Sequence, residues 1–272
     1  MTDTASYKLN GDLMSARWSL ITVTYNSAAK LRQYWSELNL PDAVEWVVVD
    51  NASSDDSVAV AQELGARVIP LPRNVGFGAA NNIGFDVTEG AYVAFVNPDV
   101  TPVLDDLSRL AQHLSNNPND LVAPQLVNDD LSLQPNGRGR PYLSAKIVNR
   151  LRDRGGRDGY LLVAQAGEVL ETDWLMGAMV AGTRDRIKKI GVWDERFFVY
   201  YEDSDLGLRN AAHGGRSVVL GDIRWIHGWA RETKAPSLAA WRLELPSMVK
   251  FYSRYPNLIL GSSPHRRRVE AK

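Results

Sequence analysis

The sequence predicts an α/β protein with a mostly parallel central sheet and helices on both faces of that sheet. Apolar, β-branched segments alternate with segments of helical periodicity from residue 18 to residue 127, which is typical of βαβ units. Two of the apolar segments, residues 44–50 and 91–97, are continuous rather than alternating. Continuous apolar strands are expected where helices cover both faces of a parallel sheet.

The elements of this N-terminal part follow in a regular order. The segment "WSLITVTY" predicts a strand, and the next segment places Leu31, Trp35 and Leu38 at helical spacing. The "SSDDS" stretch supplies capping residues for the helix after the second strand. The predicted strands are 18–25, 44–50, 66–71, 91–97 and 121–127, and the predicted helices are 28–38, 54–64, 78–87 and 104–114.

The pattern changes after residue 128. Turn-forming residues in "LSLQPNGRGRP" lead into a basic segment, and an apolar segment with small residues follows at 174–183. A short helix and an acidic loop are expected next. The remaining predicted elements are a helix ending at Gly214-Gly215, a strand at 217–227 and an amphipathic helix at 237–255 that is interrupted or kinked at Pro246.

The chain shows no linker and no internal repeat, so one domain is expected over residues 18–260. Residues 1–17 form a polar segment that predicts a flexible leader, and residues 261–272 form a basic tail. Trp241, Leu245 and Phe251 fit either core packing or a homodimer contact.

Composition excludes several classes of function. The net charge of −1 gives no overall attraction to nucleic acid. The absence of cysteine excludes disulfides and cysteine-ligated zinc, so any metal must bind through oxygen or imidazole. No apolar run approaches the roughly 18 residues of a membrane span, and the N-terminus lacks the apolar core of a signal peptide. We therefore expect a cytoplasmic protein.

Two basic stretches stand out against the neutral total. Residues 138–157 contain seven arginines and lysines against one acid, and the C-terminal tail contains Arg266, Arg267 and Arg268. Such stretches are commonly solvated loops and frayed ends. The alternative is contact with a phosphorylated acceptor or with an anionic membrane surface, which would place the protein at the inner face of the cell membrane.

Polar side chains follow three predicted strands where each strand ends. Asp50 and Asp99 occupy two of these ends, and Thr24, Tyr25 and Asn26 occupy the third. Ligands bind beyond the carboxyl ends of strands in parallel sheets, so these residues are expected to share one site. Asp50 suits either a helix-capping turn or a hydrogen bond to a base or ribose.

Asp99 also has two interpretations, one structural and one as a metal ligand. His227 follows a predicted strand, and a lone histidine there is more often structural. If the two side chains meet at the sheet edge, they form a mixed oxygen and nitrogen site for Mn²⁺ or Mg²⁺.

The segment "VGFGAANNIG" is close to a dinucleotide-binding fingerprint. Gly76 and Gly78 follow a strand and open a helix, and Asp99 lies at the end of the next strand. The third glycine of that fingerprint is replaced by Asn81, where close helix–strand packing needs glycine. A dinucleotide-dependent oxidoreductase is therefore a minor alternative.

Three carboxylates follow an aromatic run in "FFVYYEDSDLGLR". Glu202, Asp203 and Asp205 suit the first turn of a helix, where the macrodipole favours acids. Crowding and partial burial of the same acids would raise a pKa and create a general base. In "WLMGAMVAG", Trp174 and Gly177 are either core residues or the floor of a sugar or lipid site.

Six motifs, in this order, resemble glycosyltransferase family 2, and most closely its bacterial rhamnosyltransferase-type members. They are "ITVTYNS", "VVDNASSDDS", "NVGFGAANNIG", "FVNPDV", "WLMGAMVAG" and "FFVYYEDSDLGLR", and the resemblance covers about residues 18–255. The resemblance implies a GT-A fold and inverting transfer from a nucleotide-sugar, with residues 18–127 as the nucleotide-sugar half and 128–260 as the acceptor and catalytic half.

The resemblance also implies roles for individual residues. Asp50 would contact the base, Asp99 and His227 would bind a divalent ion, and Asp203, paired with Glu202, would be the general base, with Asp205 as the substitute. Asn97 stands where the family's Asp-x-Asp motif has its first acid, which implies weakened metal binding. The other donor-site residues would be Thr24, Tyr25, Asn26, Asn74, Gly76, Phe77 and Asn81.

The expected activity is transfer of a sugar, by resemblance rhamnose, from a UDP- or dTDP-linked donor to a cell-surface glycan or polyprenyl-linked acceptor. The divalent cofactor would be Mn²⁺ or Mg²⁺. The alternatives are a catalytically silent nucleotide-sugar-binding protein, which Asn97 supports, and the oxidoreductase.

Overall fold

The computed structural model describes residues 17–144, 146, 160–228, 238–261 and 268–270. Residues 1–16 of the predicted leader and the arginines at 150–157, 266 and 267 lie outside these ranges, as does the side chain of Trp241. The helices are α1 (Ala28–Tyr34), α2 (Ser57–Glu63), α3 (Phe77–Asp86), α4 (Asp106–Asn116), α5 (Arg184–Lys189), α6 (Glu202–Ala212) and α7 (Leu238–Arg254).

The strands of the described residues form two sheets. The larger sheet has the order β13-β9-β12-β6-β11-β4-β1-β2-β3, with β5 paired to β12, and the smaller has the order β10-β7-β8. Their bounds are β1 (Trp18–Thr24), β2 (Val44–Asp50), β3 (Arg67–Pro70), β4 (Tyr92–Val96), β5 (Val100–Thr101), β6 (Leu121–Val127), β7 (Gly137–Arg138), β8 (Leu161–Leu162), β9 (Val169–Thr172), β10 (Trp174–Leu175), β11 (Met179–Thr183), β12 (Ser217–His227) and β13 (Arg268–Glu270).

The predicted α/β class is confirmed. Strands β1, β2, β3 and β4 pair in parallel, as do β6 and β12. Both β2 and β4 are almost entirely buried, as their continuous apolar sequences predict. The pairs between β1, β2 and β4 bring the carboxyl ends of three strands to one edge.

The apolar segment 174–183, for which no element was predicted, forms two strands in different sheets, because residues 176–178 turn between them, and β11 lies antiparallel between β4 and β6. The predicted interruption at Pro246 was wrong, because helix α7 continues through that residue. Pro246 lies on the exposed side of α7, where water can bond the carbonyl that lacks its helical donor.

Aromatic residues hold the C-terminal helix against the acidic loop. Phe197, Tyr201, Phe251 and Tyr252 are buried in one cluster, and the rings of Tyr201 and Phe251 lie 5.1 Å apart. Phe251 is therefore a core residue, whereas Leu245 is exposed. None of the helices in the described ranges has the length and apolar character needed to cross a bilayer.

Candidate active site

A cleft of about 320 Å³ opens at the carboxyl ends of β1, β2 and β4. It contains five of the predicted donor-site residues, Tyr25, Asn74, Gly76, Phe77 and Asn97, together with Asp99. The sequence did not identify its remaining lining residues, which are Val23, Ser27, Lys30, Asn51, Pro98, Phe198, Val199 and Leu243. A second cavity of about 240 Å³, beside α4, contains none of the predicted site residues.

Asp50 is buried under the cleft and organises a turn. Its carboxylate accepts hydrogen bonds from Thr24 Oγ1 at 2.9 Å and from the Ser53 amide at 2.9 Å. Asp50 is 2% exposed and Thr24 is fully buried. The Asn26 carboxamide, at the exposed rim, accepts a 2.8 Å hydrogen bond from the Ser54 amide. The structure therefore gives Asp50 and Thr24 internal partners rather than a free face in the cleft.

Asn51 connects the β2 end to the loop before α3. Its Nδ2 donates to Asn74 Oδ1 at 2.9 Å, and its Oδ1 accepts from the Val75 amide at 2.8 Å. Asn74 Oδ1 also accepts from the Gly76 amide at 2.9 Å. These bonds fix the loop that forms one wall of the cleft. Asn51 directly follows Asp50 at a strand end, and that position was the signal that could have identified it.

Asn81 lies outside the cleft. It is buried in α3, and its Nδ2 donates to the Phe77 carbonyl at 3.0 Å. The residue of α3 that packs most closely on the sheet is Gly84, where a Cβ atom would lie 2.5 Å from Ile21 Cγ2. The close helix–strand packing of a dinucleotide fingerprint is thus provided one turn after the position that the fingerprint requires.

Strand pairing brings Asp99 and His227 together. Residue Asp99 immediately precedes β5, and β5 pairs antiparallel with the end of β12, so that His227 lies opposite Val100. The distance from His227 Nε2 to Asp99 Oδ1 is 3.6 Å, too long for a hydrogen bond. Asp99 Oδ1 is a buried atom without a hydrogen-bond partner among the described residues. Its other oxygen accepts a 2.9 Å bond from Lys30 Nζ.

Gln134 determines which nitrogen of His227 carries the proton. Gln134 Nε2 donates to the His227 carbonyl and to Asn128 Oδ1, each at 2.7 Å. Its Oε1 is therefore an acceptor, and it lies 2.7 Å from His227 Nδ1. Nδ1 therefore carries a proton, and in the neutral ring Nε2 keeps a lone pair that faces Asp99 Oδ1.

A lone pair and a carboxylate oxygen that face each other repel unless a cation lies between them. Both atoms are ligand types for divalent ions, and a histidine ligand normally donates its second N–H to a neighbouring acceptor, as His227 does. Burial opposes ionisation of Asp99, but the His227 ring when protonated and the Lys30 ammonium hold its pKa below the usual value. The residues present thus fit one divalent ion held by Asp99 and His227. No group of three or more such ligands occurs among the described residues.

The acidic motif begins α6 after a strained turn. Tyr200 and Tyr201 have φ values of +66° and +72°, which are rare for bulky side chains and occur mainly at functional sites. The turn places Asp203 beside Gly177, whose amide donates to Asp203 Oδ2 at 3.3 Å. A Cβ atom added at Gly177 would lie 3.6 Å from both Asp203 Cβ and Phe77 Cε1. Asp203 is not among the lining residues of the cleft, but it lies near Phe77, which is one of them.

Burial raises the pKa values of both acids of the Glu202–Asp203 pair. Burial and the neighbouring Asp203 charge raise the pKa of Glu202 to about 8. Burial also raises the pKa of Asp203, while Lys146 and Arg138 oppose that rise. Glu202 Oε2 is buried and lacks a hydrogen-bond partner in the described part of the chain. Near pH 7 the pair therefore holds one proton, and Asp203, which Lys146 and Arg138 face, is the better candidate for the charged member.

Two cations from the basic segment face this pair. Lys146 Nζ lies 3.5 Å from the centroid of the Tyr201 ring and 5.4 Å from that of Trp174. Burial lowers the pKa of Lys146 to about 8. The Arg138 guanidinium lies 5.8 Å from the Trp174 ring centroid. Trp174 itself is buried, and its Nε1 donates to the Gly139 carbonyl at 2.9 Å.

Asp205 belongs to a different network. Its carboxylate is fully buried and accepts hydrogen bonds from Arg209 Nε at 2.6 Å and Tyr255 at 2.8 Å. Arg254 is within 3.2 Å of the same carboxylate. Asp205 thus ties α6 to α7, and its oxygens are engaged by these partners rather than open to an acceptor.

Comparisons with known sequences agree with the motif resemblance. The model of glycosyl transferase family 2 matches residues 19–165, more than half of the 272-residue chain. N-acetylglucosaminyl-diphospho-decaprenol L-rhamnosyltransferase of Mycobacterium tuberculosis is 28% identical, over 79% of this chain and 76% of the relative. dTDP-rhamnosyl transferase RfbF of Shigella flexneri is 24% identical, over 91% of this chain and 80% of the relative.

Solved structures share the fold. The mannosyltransferase PcManGT of Pyrobaculum calidifontis, solved with GDP-Man and Mn²⁺, is 18% identical with a TM-score of 0.59, over 95% of this chain and 72% of its own. S. aureus TarS 1-349, solved with UDP-GlcNAc, is 18% identical with a TM-score of 0.59, over 89% of this chain and 65% of its own. These similarities confirm the predicted GT-A fold.

Proposed function

The chain belongs to glycosyl transferase family 2 and is a glycosyltransferase, and we propose that it transfers a deoxyhexose, rhamnose, from a nucleoside-diphosphate donor to a hydroxyl of a lipid-linked glycan precursor. The observation that carries the proposal is the facing pair of Asp99 Oδ1 and His227 Nε2, of which Asp99 lines the strand-end cleft. Such a pair suits the ion that accompanies a donor diphosphate. Rhamnose and the lipid-linked acceptor follow from the names of the two rhamnosyltransferase relatives.

The donor half of the proposed site is the cleft between β1, β2 and α3. Tyr25, Asn51 and Asn74 would border the nucleoside, and Gly76 and Asn97 would border the diphosphate. Asp99 and His227 would hold Mn²⁺ or Mg²⁺, which would act as a Lewis acid and neutralise charge on the diphosphate. Asn97 removes one of the two acids in the family motif, so a weakly bound ion is expected.

The chemistry requires one proton transfer and one displacement. Asp203 would accept the proton of the acceptor hydroxyl while its oxygen attacks the anomeric carbon of the donor sugar. The bond from that carbon to the diphosphate breaks with inversion, and the diphosphate leaves with the electron pair. Lys146 and Arg138 favour the charged form of Asp203, and protonated Glu202 keeps the pair at a single negative charge.

The acceptor would enter from the side of residues 128–260. Gly177 borders Asp203, and Trp174 lies beneath Lys146; together they would form the floor of the acceptor site. A lipid-linked acceptor would bring the enzyme to a membrane surface, where the basic segment can meet phosphate groups.

Calorimetric titration with UDP and dTDP, each with and without Mn²⁺ or Mg²⁺, tests the donor site. We expect one nucleotide to bind more tightly than the other, the ion to strengthen its binding, and Asp99→Ala to remove that strengthening. Nucleotide binding that changes neither with the ion nor with the Asp99→Ala substitution would refute the metal role of Asp99. Donor binding without transfer to any polyprenyl-diphosphate-linked acceptor would indicate a silent binding protein instead.

A further inference from the structure

Lys30 lies in the donor cleft beside the proposed metal ligand. It is in the first turn of α1, after the polar segment that ends β1, and its side chain reaches Asp99 from across 69 positions in the sequence. Lys30 Nζ donates to Asp99 Oδ2 at 2.9 Å, and its side chain is 37% exposed. Lys30 lines the same cavity as Asn74, Gly76 and Asn97.

The contact with Asp99 engages only part of the Lys30 ammonium group. An ammonium group has three N–H donors. Within the described ranges, that of Lys30 makes one hydrogen bond, so donors remain for a ligand in the cleft.

The charges in the cleft also indicate an anionic ligand. Asn97 replaces a carboxylate of the family motif, and Lys30 adds a cation. The net charge of these side chains together with Asp99 is therefore two units more positive than that of a site with two carboxylates and no lysine. Asp99 and Lys30 cancel each other. A divalent ion would then balance the two negative charges of a donor diphosphate.

We propose that Lys30 is a diphosphate-binding residue, which contacts the phosphate next to the transferred sugar and supplies positive charge that holds the donor when the ion is absent. This inference rests on the proposed function and names a further residue of the same site. The geometry also explains how the Lys30 side chain can act both in the free enzyme and in the complex with the donor. Lys30 would hold Asp99 in the free enzyme and share its remaining donors with the diphosphate in the complex.

The test is calorimetric titration in EDTA with whichever of UDP and dTDP the wild-type protein binds more tightly. Lys30→Met should weaken binding of the diphosphate by ~10–100-fold, the scale of one lost charge-assisted hydrogen bond. Binding of the corresponding monophosphate should weaken less, and Lys30→Arg should retain most of the affinity. Lys189→Met, which removes an exposed lysine from α5, is the matched control and should bind as the wild type does.

A double-mutant cycle separates a direct contact from an indirect one. Lys30→Met also removes the cation that pairs with the Asp99 carboxylate, and the unpaired carboxylate would itself repel a diphosphate. The Lys30→Met effect should therefore be repeated in an Asp99→Asn background, where that repulsion is absent. Persistence of the loss supports the proposal, and its disappearance would overturn it. Diphosphate affinity unchanged in a folded Lys30→Met protein would overturn it as well, whereas a wild-type protein that binds no nucleotide would refute the proposed function instead.

Discussion

The main-chain amide of Phe77 donates a 2.8 Å hydrogen bond to the carbonyl oxygen of Phe198. This bond joins the first turn of α3, on the donor side, to the loop that leads into the acidic motif. The approach is close because Gly76 has no side chain, and a Cβ atom there would lie 2.5 Å from the Phe198 oxygen. A main-chain hydrogen bond thus links a wall of the donor cleft to the loop that precedes the acidic pair.

Substitution of Gly76 by alanine should therefore damage both halves of the site. Gly76 has a φ of +94°, where an added side chain is strained, and the Phe198 carbonyl must also move. We expect a loss of stability of about 1–3 kcal/mol, weaker nucleotide binding and lower turnover. Thermal unfolding and nucleotide titration of the same preparation measure these effects.

Gly65→Ala is the control for this prediction. Gly65 has a similar φ of +87°, but nothing lies within 4 Å of an added Cβ atom. The Gly65→Ala variant should lose stability through backbone strain while keeping wild-type nucleotide affinity. If Gly76→Ala keeps that affinity too, the Phe77–Phe198 connection does not shape the cleft.

Asp203 and Asp205 should respond differently to the same substitution. Asp203→Asn removes the proposed base and should lower kcat by ~10²–10⁴, with donor binding retained. Asp205→Asn disrupts a buried carboxylate that contacts Arg209, Arg254 and Tyr255, and should lower the free energy of unfolding by about 3–5 kcal/mol. Steady-state kinetics and thermal unfolding of the two variants distinguish the roles. Near-normal turnover in Asp203→Asn would remove that residue from the role of base.

The sequence predicted the sheet and the convergence of strand ends because both depend on local patterns. Continuous apolar segments identified β2 and β4, and parallel strands place Asp50 and Asp99 at one edge. The insertion of β11 between β4 and β6 could not be predicted in this way. Its position depends on a tertiary connection in which an antiparallel strand enters a parallel sheet, and residues 179–183 carry no local signal for it.

The missed site residues show the same limit. Lys30 lies in a predicted helix where a lysine normally faces solvent, and its contact with Asp99 exists only once β1 and β4 pair. Gln134 lies in a turn segment without periodicity, yet it orients His227 across 93 positions. The sequence identified Asp50 as a candidate site residue, but it could not predict the internal hydrogen bonds of Asp50 with Thr24 and Ser53.

Gln134 should control metal binding without touching the metal. Gln134→Leu removes the acceptor for His227 Nδ1–H and frees the ring to rotate or change tautomer. We expect Mn²⁺ affinity to fall by ~10–100-fold, as for other partners of histidine ligands. Titration of Mn²⁺, followed by the electron paramagnetic resonance signal of the free ion in the presence of nucleotide, measures this. Gln134→Glu retains an acceptor and should restore much of the affinity, and equal affinity in the leucine variant would contradict the tautomer assignment.

Glu202 should make the stability of the protein depend on pH. Burial and the Asp203 charge raise its pKa from 4.5 to about 8, so the folded protein keeps a proton that the unfolded chain releases above about pH 4.5. The stability that this proton provides is fully present below pH 4.5 and is lost as the pH rises through about 8. Glu202→Gln cannot ionise, so the decrease in stability from pH 5 to pH 9 should be smaller in this variant by about 4 kcal/mol, which is about 1.4 kcal/mol for each pH unit between pH 5 and the folded-state pKa of about 8. Thermal unfolding across that range measures the difference, and Glu37→Gln, at an exposed carboxylate, should leave the wild-type decrease unchanged.

Parallel pH profiles for wild type and Glu202→Gln would show that Glu202 is already ionised in the folded protein, and the single-charge description of the acidic pair would then be wrong.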